Sequence, residues 1–215
     1  MNDEERLSRL KERIRTVMLR GKCVEEVVEK ATGHPGLFLP SMHGRTKTVV
    51  ELKTGRSVVA TLFTLCHELG HFWSYASGQR TARYDHALAR HQDWDGTIML
   101  KARNSEAMMA YAKPADAPRE VLDQALAVAE QEKPSPLTED ERRLILDEEI
   151  RAWCFGIKIA EALGCDLDNF TTEANGALRW YYLRLKLREV LWAPTDCSVQ
   201  LTGEDRQFVA ALTAA

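Results

Sequence analysis

From about Asp3 to Leu19, apolar residues (Leu7, Leu10, Ile14, Val17, Met18) recur at spacings of three and four with Arg and Lys between them, which predicts an amphipathic helix. A second helix is expected over Val24–Ala31, stopping at Gly33. Then the period changes. Gly36–Pro40 and Thr46–Leu52 have strand character, separated by the turn-like Ser41-Met42-His43-Gly44. Lys53–Arg56 forms the next turn and leads into an apolar helix centred on Thr61–Trp73, which Gly78 ends.

Beyond Gly78 the chain turns polar (Arg80, Arg83, Asp85, His86, Arg90, His91, Asp93, Asp95) and reads as a loop. Helical patterns follow at Asn104–Tyr111 and Pro118–Glu132, with proline-containing breaks after each. They make an acidic helical insertion at about 91–137, suited to a lid or a partner-binding arm. Thr138 with Glu141 is a capping box opening a long helix, Glu139–Leu163, ended by Gly164. A last helix, Thr172–Leu191, carries aromatics and a basic edge read as solvated. These elements predict an α+β fold, mostly helical, as a single domain over 1–215 with the insertion at about 91–137.

Composition narrows the class. The 215 residues suffice to bury a core, and a net charge of −3 supplies no general basic field, which disfavours nucleic acid and anionic membrane as partners. No apolar run approaches the roughly 20 residues of a membrane span. The charged start Met-Asn-Asp-Glu-Glu-Arg does not resemble a secretory signal, and the cysteines Cys23, Cys66, Cys154, Cys165 and Cys197 have no paired spacing. Free thiols in a cytoplasmic protein are the expectation.

The chemistry concentrates in His67-Glu68-Leu69-Gly70-His71. Histidines four apart lie on one face of a helix and can hold one zinc ion, Zn2+, with bonds of about 2.0–2.1 Å. Glu68 is rotated off that face and stands beside the metal position, where a general base belongs. Leu62, Phe63, Leu65, Leu69, Phe72 and Trp73 mark the helix as buried, so paired imidazoles there are costly without a purpose.

A catalytic zinc needs a third protein ligand and an open position. His86 and His91 are candidates in the polar stretch, with exposed loop histidines as the plainer reading. Glu149 is the stronger one. It falls on the apolar face of the long helix with Ile145, Ala152 and Gly156, where an unpaired carboxylate is expensive. Glu148, nearer the edge of that face, is the fallback ligand, and a buried pair with arginine is the structural alternative for Glu149.

Phe63-Thr64-Leu65-Cys66-His67-Glu68-Leu69-Gly70-His71 and Glu149-Ile150-Arg151-Ala152-Trp153 resemble the two metal-binding segments of the ImmA/IrrE family of gluzincin-type metallopeptidases. The gap between them is longer than the family's usual one, and the insertion fills it. The resemblance implies His67, His71 and Glu149 as zinc ligands, Glu68 as catalytic base, a minimal zincin-like fold, and cleavage of a regulatory protein in a phage or mobile-element setting. The expected activity is therefore a zinc-dependent endopeptidase acting on a protein or peptide substrate. The alternatives are a non-catalytic zinc-binding interaction protein, against which Glu68 speaks, and a nucleic-acid-associated SprT-like protease, against which the acidic balance speaks.

Overall fold

The computed structural model describes residues 1–31, 34–41, 46–101, 135–197 and 199–214 with positions 120, 124 and 127, and gives the backbone alone for 96–101. The helices expected at Asn104–Tyr111 and Pro118–Glu132 fall almost wholly outside these residues, as do Gly33 and Met42–Gly44. The chain divides into two compact units: residues 1–79, 149–173 and 192–215 in the first, 80–148 and 174–191 in the second. The architecture is α+β, and no helix among the described residues is long and apolar enough to cross a membrane.

In the first unit, α1 (Asp3–Arg13) begins at Asn2, which forms a capping box with Glu5, and buries Leu7 and Leu10. It stops at Arg13, well before Leu19; further on, Arg20 and Gly21 take positive φ (50° and 73°) and close a tight turn in which Leu19 and Lys22 exchange backbone hydrogen bonds.

The sheet has three strands, β1 (Glu26–Lys30), β2 (Gly36–Leu39) and β3 (Val49–Lys53), with β3 in the middle. β1 runs parallel to β3, pairing Val27 with Val50, and β2 runs antiparallel, pairing Phe38 with Val50. The helix expected over Val24–Ala31 is thus a strand. Val27 and Val28 are β-branched and suit a pleated surface, Lys30 pairs with Glu51 on β3, and Glu26 pairs with Lys47 just before it.

Helix α2 (Val58–Ala76) starts at Ser57, whose Oγ accepts from the Ala60 N–H at 3.2 Å, and ends before Gly78, whose φ of +69° suits only glycine well. It is buried continuously from Thr61 to Ser74 and packs against α1, β2 and β3. Across it lies α4 (Glu139–Ala162), whose residues from Glu149 onward belong to this unit. A Cβ added at Gly70 would lie well under 3.0 Å from the Ala152 carbonyl, and one at Gly156 would lie 2.8 Å from the Cys66 carbonyl. The two backbones therefore touch.

The unit is completed by the first residues of α5 (Leu167–Arg184), a short 3-10 turn at Pro194–Asp196, and α6 (Gly203–Thr213). No element was expected after Leu191, although Thr202 and Asp205 carry a capping-box signature and form one. Buried Asp205 also accepts from Trp73 Nε1 at 3.0 Å and pairs with Arg20 at 2.8 Å. Cys154 and Cys197 form a disulfide with Cα atoms 5.3 Å apart, which corrects the expectation of five free thiols. The pairing is invisible in the sequence, since 43 positions separate the two residues and only folding brings them together.

In the second unit, the stretch expected as a loop is helix α3 (Ala82–Lys101). Tyr84, Ala87, His91 and Trp94 recur at helical spacing and are buried, a stripe that the surrounding charges obscure. Thr81 caps it, accepting from the Tyr84 N–H at 3.2 Å. The capping box of Thr138 and Glu141 forms as expected at the start of α4.

α5 begins and ends earlier than the expected Thr172–Leu191. Asp166 Oδ1 accepts from the N–H groups of Asp168 and Asn169 at 3.0 and 3.1 Å and starts it, while Lys186 at φ 54° turns the chain after its end. Arg184, read as part of a solvated edge, is buried in an ion pair with Asp95.

Substituting Gly70 with Ala should force α2 and α4 apart and lower stability by at least the roughly 1–3 kcal/mol of ordinary overpacking. Gly176→Ala, in mid-α5 with nothing within 4 Å, should instead stabilise by about 0.5–1 kcal/mol. Denaturant unfolding of the two variants checks both signs.

Candidate metal centre

Every residue of the centre lies in the first unit. His67 and His71 are one turn apart on α2, and Glu149 comes from α4. The helix contact places them: Gly70 lets the α4 backbone reach α2 beside His71, and Glu149 stands one turn of α4 before Ala152. All three side chains are buried, with the residues 8%, 6% and 3% exposed in that order.

Their donor atoms form a small triangle. His67 Nε2 and His71 Nε2 are 3.2 Å apart, and Glu149 Oε2 lies 3.3 Å from the first and 3.5 Å from the second. Four ligands held tetrahedrally at about 2.0–2.1 Å are about 3.3 Å from one another, so this triangle has the dimensions of one face of a zinc site. Two imidazole lone pairs and a carboxylate oxygen at such range, buried, repel unless a cation or a proton lies between them. The residues present therefore fit a metal ion, and among the described residues no other group of three histidines, cysteines or carboxylates does.

Electrostatics agree with that fit. Burial alone would raise the Glu149 carboxyl, but His71 and His67 outweigh it and hold the group well below the usual carboxylate range. Glu149 is thus an anion in the interior, ready to balance a cation.

Glu68 differs. Burial raises its pKa, the neighbouring His67 and His71 partly counter this, and the charge of Glu149 raises it further. Its carboxylate accepts a hydrogen bond from the backbone N–H of Phe38 on β2. The contact is close, because a Cβ at Gly36 would lie 2.6 Å from Glu68 Oε1 and would also strike Thr64. Sequence reasoning took Gly36 only as the start of a strand. A glycine where an edge strand meets a chemistry-bearing helix is the signal that was available.

The imidazole of His67 is backed by Trp153, stacked at 4.2 Å and 26°, and Trp153 meets Phe170 edge-on at 5.4 Å. This aromatic wall fixes the ring plane of His67, a role not expected from the sequence. Arg56 bonds Thr64 Oγ1, one turn before Glu68, and pairs with Glu173 at 2.5 Å.

Of the other sequence candidates, Glu148 is buried but is not among the three converging groups. His91 is packed on α3 in the second unit, stacked on Trp94 with centroids 5.9 Å apart, and His86 lies on the same helix. Neither belongs to the triangle.

No family model matches the chain, no curated protein shows a significant resemblance to it, and no solved structure matches it.

Metal analysis of the purified chain should find about one zinc per molecule in the wild type and in Glu148→Ala, and none in His67→Ala or Glu149→Ala. Loss from Glu148→Ala with retention in Glu149→Ala would reverse the ligand assignment.

Proposed function

We propose that the chain is a zinc-dependent endopeptidase with a zincin-like arrangement of the ImmA/IrrE kind. The observation that carries the reading is the buried triangle of His67, His71 and Glu149 with Glu68 standing next to it. A purely structural zinc site closes all four positions with protein ligands and has no use for an adjacent carboxylate. The resemblance of residues 63–71 and 149–153 to the family's metal segments supports the same assignment.

His67, His71 and Glu149 would hold the ion, which when bound supplies a Lewis acid that polarises a carbonyl and acidifies water. The remaining steps belong to the chain. Glu68, with its raised pKa, takes the proton of the attacking water and returns it to the departing amine. The Phe38 N–H orients that carboxylate. Trp153 keeps the His67 ring in its plane.

β2 is an edge strand, so its outer side can hold an extended peptide by main-chain hydrogen bonds beside Glu68. That geometry suits hydrolysis within a peptide chain.

Glu68→Gln should keep its zinc and lose peptide hydrolysis by about 100-fold or more. Gly36→Ala should also keep zinc, yet lower kcat by displacing the Glu68 carboxylate from its N–H donor. Hydrolysis of a protein library read by mass spectrometry, with zinc measured on the same samples, checks both. Undiminished cleavage by Glu68→Gln would overturn the mechanism.

A further inference from the structure

The metal helix and the C-terminal segment are joined covalently. Cys154 sits on α4, directly after Trp153, the residue stacked on His67, and five positions after Glu149. Cys197 follows the 3-10 turn Pro194–Asp196, in the stretch that leads from buried Trp192 to α6. Along α6 the same segment is held by Asp205 on Trp73 and Arg20, and by Phe208 against Phe72 and Phe155 with centroids 5.8 and 6.4 Å apart. The disulfide ties Cys197 to Cys154, the α4 residue next to Trp153 of the aromatic wall.

Access to the two sulfurs is unequal. Cys154 is 2% exposed, whereas Cys197 is half-buried, so an incoming thiolate meets Cys197 first. Two of the remaining thiols compete poorly for the bond: Cys66 is buried, and burial pushes the Cys165 thiol up to about 11.

We propose that Cys154–Cys197 is a redox latch on the metal centre: oxidised, it ties the chain at Cys197 to α4 at the residue after Trp153, and reduced, it releases that tie and loosens the hold on the ion. This rests on the metal-binding reading of His67, His71 and Glu149. A dithiol reductant opens the latch. Its thiolate attacks the Cys197 sulfur, the S–S bond breaks, and Cys154 leaves as a thiolate that takes a proton. The reductant's second thiol then displaces Cys197 from the mixed disulfide. The protein gains two electrons and two protons, and the dithiol becomes a disulfide.

The test uses the full chain in three forms: oxidised with glutathione disulfide, reduced with a phosphine that is then removed, and Cys197→Ser. Thiol alkylation after denaturation should label three of the five cysteines in the oxidised form and all five in the reduced form. Zinc release to a chromophoric chelator should be at least tenfold faster from the reduced form and from Cys197→Ser than from the oxidised form. Limited proteolysis within 186–201 should accelerate in the same two forms. Five labelled thiols after oxidation, or equal zinc release from the oxidised and reduced forms, would overturn the latch. If the oxidised form binds no zinc, the metal reading fails by itself, and the proteolysis then decides the latch: equal cleavage in all forms overturns it.

Discussion

The three donor atoms of His67, His71 and Glu149 lie within 3.5 Å of one another where two helices pack unusually closely. Here Gly70 faces the Ala152 carbonyl and Gly156 faces the Cys66 carbonyl, so α2 and α4 meet main chain to main chain. The missing Cβ atoms set the distance at which Glu149 faces His67 and His71. Around this contact the first unit is closely packed, with Leu62, Leu65, Leu69 and Phe72 on α2 and Phe155 and Ile159 on α4 essentially inaccessible. An interior of that kind resists separation of the helices, and so keeps the donor triangle small even though its members repel.

A second close approach governs Glu68. β2 comes near enough to α2 at Gly36 for the Phe38 N–H to reach the Glu68 carboxylate. One strand therefore does two things: its inner side pairs with β3, and its outer side addresses the side chain that stands beside the metal position. Burial raises the pKa of Glu68, while the same interior holds Glu149 low because the imidazoles face it. Two carboxylates in one small volume thus acquire different proton affinities from their immediate neighbours, the usual basis for dividing acid–base work from ion binding.

The periphery is tied to this centre through a few polar links. Arg20, held at positive φ in its turn, pairs with Asp205 and donates to Ser77 Oγ at 2.8 Å, so the end of α2 and the start of α6 share one cation. Arg6 donates to the Leu163 carbonyl at 2.9 Å and satisfies the exposed end of α4. These bonds brace the C-terminal ends of the two helices that cross at Gly70.

What the sequence determined by itself was local. The spacing of His67 and His71, the apolar helix around them, the capping box of Thr138 and Glu141, and the stops at Gly78 and Gly164 all depend on residues within a turn or two of each other. Glu149 was legible for a similar reason, as a carboxylate on an apolar helical face. The fold decided the rest because its causes lie far apart along the chain. Val27 and Val28 became a strand because β3 was there to pair with, and charges masked the buried stripe of α3. Cys154 and Cys197 met across 43 positions. Only the packed backbone could show that Gly36, Gly70 and Gly156 stand where a single methyl group would displace Glu68 or part the helices, since close approach is a property of two segments and neither one encodes it alone.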